Sequence, residues 1–204
     1  MRGMSASEST RIGPVGGDEL ATTEDEREAL ARLRELTGEV NGPMERHGLR
    51  CFLIAERLAS DRGASVDREV LLIAALLHDI GLYDGAAEGG AYVTDGRHYA
   101  ERMLSGRAGW EGERLRLCLD AIERHHELRS QWEAGNEVEL LRRADRVELA
   151  AGAVTFGIPR SWLRELAREV PREGLYREIN RMLLKAARER PLSIPKIFIR
   201  GRGR

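Results

Sequence analysis

The chain has 204 residues, of which 42% are hydrophobic, 33% charged and 5% aromatic. This length allows one sizeable core, and the composition favours a charge-rich helical protein over a β-sandwich. The formal net charge of −1 gives no electrostatic reason to expect nucleic-acid binding. The two cysteines, Cys51 and Cys118, cannot build a disulfide framework or a paired-cysteine metal site.

Residues 1–22 are rich in Gly, Ser, Thr and Glu and lack hydrophobic periodicity, which predicts a disordered leader. They contain no hydrophobic segment of the secretory type, and the longest apolar run, Val70 to Leu77, is far shorter than the ~20 residues of a membrane span. We therefore expect a cytoplasmic protein with no membrane partner. Residues 191–204 form a short basic tail, for which we do not expect nucleic-acid binding.

Residues 23–190 show helical periodicity and no strand alternation, which predicts an all-α body of about seven or eight helices in one compact bundle. Thr23 and Glu26 form a capping pattern, Gly81 is placed to stop the most apolar helix, and Asp95 is expected to cap the helix that follows a glycine-rich loop at 83–94. The predicted helices are Thr23–Leu36, Pro43–Ser60, Asp67–Leu77, Asp95–Leu104, Glu111–His126, Val138–Ala151, Arg160–Glu169 and Arg172–Glu189.

Several polar side chains fall where the periodicity predicts burial. His47 lies on the apolar stripe of its helix, Asp79 ends the most hydrophobic helix, and Asp145 interrupts an apolar face. A buried, ionised carboxylate costs several kcal/mol unless it is paired or bound to a cation. Divalent ions such as Fe, Mn, Co, Ni or Zn take both imidazole and carboxylate ligands, so one or two such ions would offset these costs together.

Each of these signals is weak alone, because a buried histidine is usually a satisfied core residue. The order His, His-Asp, His, His-His, Asp on successive helices is more specific. The segments that carry it are MERHGLRCFLIAERLA, LLIAALLHDIGLYD, GRHYAERML, AIERHHELR and LLRRADRVELA. From Met44 to Ala151 the chain resembles the HD-domain metal-dependent phosphohydrolase superfamily.

The resemblance implies a helical HD-domain bundle with a metal site. His47, His78, Asp79 and Asp145 match the mononuclear ligand set of the superfamily. His98 and His125 match the second-metal positions of its dinuclear branch, in which the doublet aspartate, here Asp79, bridges the two ions.

Three departures narrow the expected activity. No Gly-Tyr-Pro follows Glu127, which disfavours cyclic-dinucleotide turnover of the HD-GYP type. Leu82 stands where some mononuclear nucleotidases carry a glutamate. The pattern around His47 and Arg50 is also similar to that of cyanamide-hydratase-like HD proteins, which cleave no phosphate.

We therefore expect a phosphohydrolase or phosphodiesterase that acts on a nucleotide or a related small phosphate ester with a metal-activated water. The alternatives are a non-phosphate HD hydratase or oxygenase and a metal-bound, non-catalytic HD module. Asp79 would act at the metal, and His126 would be a further ligand, a supporting donor or a proton shuttle. Candidate phosphate contacts are Arg50, Arg97 and Arg146. The amphipathic helices at 160–189 could pair in a homodimer.

Overall fold

The computed structural model describes Ile12 and residues 15–189. This part of the chain is helical and contains no strand, which confirms the all-α prediction. It has nine α-helices and one 3₁₀ turn, Ile80–Leu82. The helices are α1 (Gly17–Leu20), α2 (Glu24–Thr37), α3 (Pro43–Arg62), α4 (Arg68–Leu77), α5 (Tyr92–Leu104), α6 (Gly112–Arg124), α7 (Asn136–Leu149), α8 (Arg160–Glu169) and α9 (Leu175–Glu189).

The most hydrophobic helix, α4, lies at the centre of the bundle. Every residue from Val70 to Leu77 is buried, and α2, α3, α6 and α7 pack around the helix. Because full burial of an aliphatic side chain contributes about 1.5–3 kcal/mol, this segment supplies a large share of the stabilisation. The end of α4, where His78 and Asp79 follow, is thereby fixed in the interior.

Local capping fixes the helices that carry this core. The Thr23 hydroxyl accepts a hydrogen bond from the amide of Glu26, whose carboxylate accepts one from the amide of Thr23. Asp67 likewise accepts from the amide of Val70 at the start of α4. Each cap satisfies amides that have no partner within the helix. The predicted starts of α2 and α4 are confirmed within one residue.

The segment between α4 and α5 differs from the sequence prediction. Helix α5 begins at Tyr92, three residues before the predicted cap, and the Asp95 carboxylate instead accepts a hydrogen bond from the amide of Glu88. Gly81 does not end α4, which stops at Leu77; it lies in the 3₁₀ turn. A Cβ at Gly81 would lie 2.0 Å from the carbonyl oxygen of Tyr92, so Gly81 allows a close backbone contact.

The described part of the predicted leader is also structured. Helix α1 lies within residues 1–22, Gly17 is buried, and Ala21 belongs to the core. The rest of the leader, residues 1–11 and 13–14, lies outside the described residues, as does the basic tail at 191–204. In the part that is described, no helix is both long enough and apolar enough to span a bilayer.

Candidate metal centre

Four helices bring six histidine and aspartate side chains together beside the end of α4. His47 projects from α3 and Asp145 from α7, His78 and Asp79 directly follow α4, and the pair 125–126 directly follows α6. Four of the six are almost completely buried. The Asp79 and His126 side chains retain 13% and 22% exposure, so the cluster opens to solvent on their side.

The four residues that match the mononuclear ligand set have their side-chain nitrogen and oxygen atoms close together. The Nε2 atoms of His47 and His78 lie 3.1 Å apart. Asp145 Oδ1 lies 3.4 Å from the Nε2 atom of His47 and 3.8 Å from that of His78. Asp79 Oδ2 lies 3.6 Å from the Nε2 atom of His47 and 3.4 Å from that of His78. Two nitrogens bound at ~2.1 Å to one ion at about a right angle are themselves about 3 Å apart. The spacing therefore suits a shared cation.

The ring orientation of two histidines is fixed by the helix ends on which they lie. The Nδ1 atom of His78 lies 2.8 Å from the carbonyl oxygen of Ala75, and that of His125 lies 2.7 Å from the carbonyl oxygen of Ile122. Because a carbonyl only accepts, each Nδ1–H is the donor. When such a ring is neutral, Nε2 is the nitrogen without hydrogen, and its lone pair points into the cluster, as in metal-binding histidines.

Asp145 provides the most direct test of whether these residues fit a metal ion. Its side chain is 1% exposed, and its Oδ2 atom is buried without a hydrogen bond, with His126 Nδ1 at 3.4 Å. A buried carboxylate oxygen without a hydrogen bond is costly, and a bound cation removes that cost. The donor set of imidazole nitrogens and carboxylate oxygens is one that divalent first-row metals accept. The residues therefore fit a divalent metal ion.

The environment of the cluster keeps Asp79 ionised and His126 neutral. Burial would raise the pKa of the Asp79 carboxyl, but the neighbouring imidazoles of His78 and His125 outweigh burial and hold that pKa well below its usual range. Burial, reinforced by His125, lowers the pKa of His126 to about 4. The ring of His126 therefore has one unprotonated nitrogen near pH 7.

His98 does not reach this cluster, contrary to the expectation of a second metal site built from Asp79, His98 and His125. Its side chain is 45% exposed, and its Nδ1 lies 2.8 Å from the carboxylate of Glu88. Tyr92 and His98 are six residues apart on α5, so they point about 120° apart around the helix axis. Because Tyr92 faces the cluster, His98 faces away from it.

Tyr92 is a site residue that sequence reasoning missed. Its hydroxyl forms a hydrogen bond with His126 Nε2 and lies 3.4 Å from His125 Nε2. Burial, together with the charges of Asp79 and Asp145, raises the pKa of Tyr92 well above its usual value, so the phenol stays protonated. The sequence prediction leaves Tyr92 in the loop before α5, where helical periodicity gives no signal.

Arg50 is a structural residue rather than the expected phosphate contact. Its guanidinium is fully buried, with Nε 2.7 Å and Nη2 2.5 Å from Glu148 Oε1, and Nη1 donates to the carbonyls of Val170 and Pro171. Glu148, also missed by sequence reasoning, lies 3.9 Å from His47 Nδ1. Arg50 and Glu148 thus form a buried ion pair beside His47.

The two other candidate arginines also have partners within the protein. Arg97 pairs with Glu123 at 3.3 Å. Arg146 directly follows Asp145 in sequence and donates from Nη2 to the carbonyl of Glu127 at 2.6 Å.

Cys51 lies beside the cluster, and its Sγ atom lies within 4.8 Å of ligand atoms of His47, His78 and Asp145, a group that could hold a metal ion. The Sγ atom is 3.9 Å from both ring nitrogens of His47. Burial raises the pKa of the thiol to about 11, which keeps it protonated at neutral pH. We assign Cys51 to packing against the imidazole.

Comparison with known proteins agrees with this geometry. The HD domain family matches residues 44–150, more than half of the chain, and that stretch contains all six clustered residues. No curated protein matches the chain in sequence. The chain therefore belongs to the HD domain family, whose members are mostly metal-dependent hydrolases.

Proposed function

We propose that the protein is a metal-dependent phosphohydrolase that cleaves a small phosphate ester, such as a nucleotide. The observation that carries the proposal is the buried Asp145 carboxylate, whose Oδ2 lacks a hydrogen bond while its Oδ1 faces two imidazoles. A carboxylate with a purely structural role at this depth is expected to be fully hydrogen-bonded or paired with a guanidinium.

His47, His78, Asp79 and Asp145 would hold a divalent ion, with the pair 125–126 beside it. Such an ion lowers the pKa of a water molecule toward neutrality and stabilises negative charge on substrate oxygens. The outward position of His98 favours one ion over two. The partial exposure of Asp79 indicates the side from which substrate would enter.

The chain's own residues would orient the reactants and bind the substrate charge. His126 lies on the open side of the cluster, where Tyr92 holds its ring through Nε2, and it would orient a water molecule or the substrate there. Arg146 is the remaining candidate for a phosphate oxygen, because among the described residues it donates to the Glu127 carbonyl and, unlike Arg50 and Arg97, forms no ion pair with a carboxylate.

A small-molecule hydratase is the second candidate, and a specific observation favours it. Two of the three arginines considered for phosphate binding, Arg50 and Arg97, are paired with carboxylates of the protein itself. A phosphate enzyme is expected to direct several cations at its substrate. A site to which these two arginines contribute no charge also suits a small neutral substrate.

A comparison of three substrates tests the proposal. Purified full-length protein is supplied with Mn²⁺ or Co²⁺ and assayed on bis(p-nitrophenyl) phosphate, p-nitrophenyl phosphate and cyanamide. We expect turnover of at least one phosphate ester and its loss in Asp79→Asn. Consumption of cyanamide without turnover of either ester would replace the phosphohydrolase with the hydratase.

A further inference from the structure

An open cavity separate from the ligand cluster lies next to the buried Arg50–Glu148 pair. It has a volume of about 350 Å³ and is bounded by residues 151–153 after α7, by one face of α8 and by Arg172. Cavities of this size accommodate small organic molecules. None of the clustered histidines or aspartates lines it, so it is distinct from the metal centre.

The charged residues that line this cavity are all positive. Arg160, Arg164 and Arg172 line it, and no lining residue is acidic. Arg160 and Arg164 are exposed and four residues apart on α8, an arrangement in which like charges repel. In the described part of the chain, neither of these two arginines makes a hydrogen bond or an ion pair. An anion in the cavity would relieve this repulsion.

Arg172 adds a further excess of positive charge. Its Nε donates to the Glu148 carboxylate at 3.0 and 3.1 Å, and its buried Nη2 lies 2.9 Å from the same group without forming a hydrogen bond. Glu148 also neutralises Arg50. The single Glu148 carboxylate therefore pairs with the two guanidiniums of Arg50 and Arg172, which leaves a net positive charge beside the cavity.

The remaining walls are small and apolar. Leu163 and Ala167 form one face, and residues 151–153 are two alanines and a glycine. Gly152 has a φ of +77°, and a Cβ there would lie 3.4 Å from the Leu163 side chain, so a larger residue would narrow the cavity. The cavity thus offers charged donors with an apolar surface beside them.

We propose that this cavity binds a small phosphorylated molecule with an apolar portion. The guanidiniums of Arg160, Arg164 and Arg172 match the geometry and charge of a phosphoryl dianion. The apolar portion would lie on Leu163 and Ala167. This site does not depend on the reaction at the metal centre.

Calorimetric titration of the full-length protein with phenylphosphonate tests the proposal, because this dianion has no ester bond to hydrolyse. We expect saturable binding that is weaker by roughly tenfold or more in the double variant Arg160→Gln/Arg164→Gln, which removes two charge-assisted contacts. The matched control is Arg168→Gln, on the same helix but outside the cavity. It should change the affinity by no more than about twofold.

Two results would overturn the proposal. Identical titrations of the parent protein, the double variant and the control would place the binding elsewhere, including at the metal centre. The absence of saturable binding would remove the site altogether. Methylphosphonate tests the apolar wall: it should bind more weakly than phenylphosphonate by roughly threefold or more, and equal affinity would contradict the role of Leu163 and Ala167.

Discussion

His78 and His125 are oriented in the same way at the ends of two different helices. Each follows the last residue of its helix and donates from Nδ1 to the carbonyl three residues earlier. Helix ends leave such carbonyls without intrahelical partners, so the donation satisfies a backbone acceptor and directs Nε2 inward. The orientation of both rings therefore follows from where α4 and α6 end.

Replacing His98 and His125 one at a time tests whether the protein has the second metal site that the sequence predicts. We predict that His125→Ala lowers the affinity for Mn²⁺ or Co²⁺ by roughly tenfold to a hundredfold, because the ring lies within the cluster. His98→Ala should leave the affinity within about twofold of the parent, since its side chain is exposed. Calorimetric metal titration measures both, and equal losses in the two variants would restore the dinuclear site.

The Tyr92 hydroxyl is expected to matter for turnover rather than for metal binding. Tyr92→Phe retains the buried ring and removes the hydrogen bond to His126. We predict a kcat lower by roughly tenfold or more with unchanged metal content, since His126 loses the group that orients it. Steady-state kinetics and elemental analysis provide the two readouts, and an unchanged kcat would show that Tyr92 only fills space.

At the scale of elements, the contact between the 3₁₀ turn and α5 positions Tyr92. The backbone of Gly81 lies so close to that of Tyr92 that a Cβ would approach the carbonyl oxygen to 2.0 Å. A Cβ on Gly96, by contrast, would meet the amide nitrogen of Gly81 at 3.4 Å, an ordinary contact distance. The close approach of α5 to the 3₁₀ turn therefore requires a residue without a Cβ at position 81.

Alanine at these two glycines should have opposite effects on stability. Gly81→Ala must displace backbone atoms, and we predict a loss of about 2 kcal/mol or more in the free energy of unfolding. Gly96→Ala lies inside a helix and should gain up to about 1 kcal/mol. Chemical denaturation measures both, and similar stabilities of the two variants would refute the close contact.

Local sequence patterns predict the helices better than they predict where side chains point. Helix α8 has its predicted bounds, and α4 starts within one residue of its prediction, because caps and apolar periodicity act over a few residues. The start of α5 depends on packing against the 3₁₀ turn, which no local pattern records. The sequence prediction therefore left Tyr92 in a loop and gave no sign that His98 faces away from the cluster.

Arg50 shows that local sequence patterns also cannot predict contacts between residues that are far apart in the chain. Its partners Glu148, Val170 and Pro171 lie 98 to 121 residues further along the chain, so no local pattern could identify them. Burial of His47 and Asp145, in contrast, follows from the periodicity of their own helices. The burial of His47 and Asp145 could therefore be predicted from the sequence, whereas the ion pair beside His47 could not.

On the scale of the whole molecule, paired charges make stability depend on pH. Burial would raise the pKa of Glu139, but hydrogen bonds from Arg142, the amide of Gln131 and Arg143 lower that pKa from the ordinary 4.5 to about 2. Between these two values the unfolded chain binds more protons than the folded chain. The stabilisation from Glu139 is therefore complete above pH 4.5 and is lost as the pH falls toward 2.

Thermal melting across pH checks this expectation. We predict a Tm that changes little between about pH 7 and 5 and falls below about pH 4.5, with a shallower fall in Glu139→Gln, which cannot titrate. The control is Glu113→Gln, whose carboxylate is exposed and pairs only at the surface. A parallel fall in Glu139→Gln and the parent protein would exclude Glu139 as a source of the acid sensitivity.

The metal content of the purified protein, measured together with its response to a chelator, tests the central claim most directly. We predict about one divalent ion per chain, a Tm lowered by several degrees after chelation, and neither property in Asp145→Asn. The asparagine keeps the shape of the side chain but removes the charge that the cation would neutralise. A parent protein that takes up no divalent ion, with a Tm that neither chelator nor Asp145→Asn alters, would contradict the account.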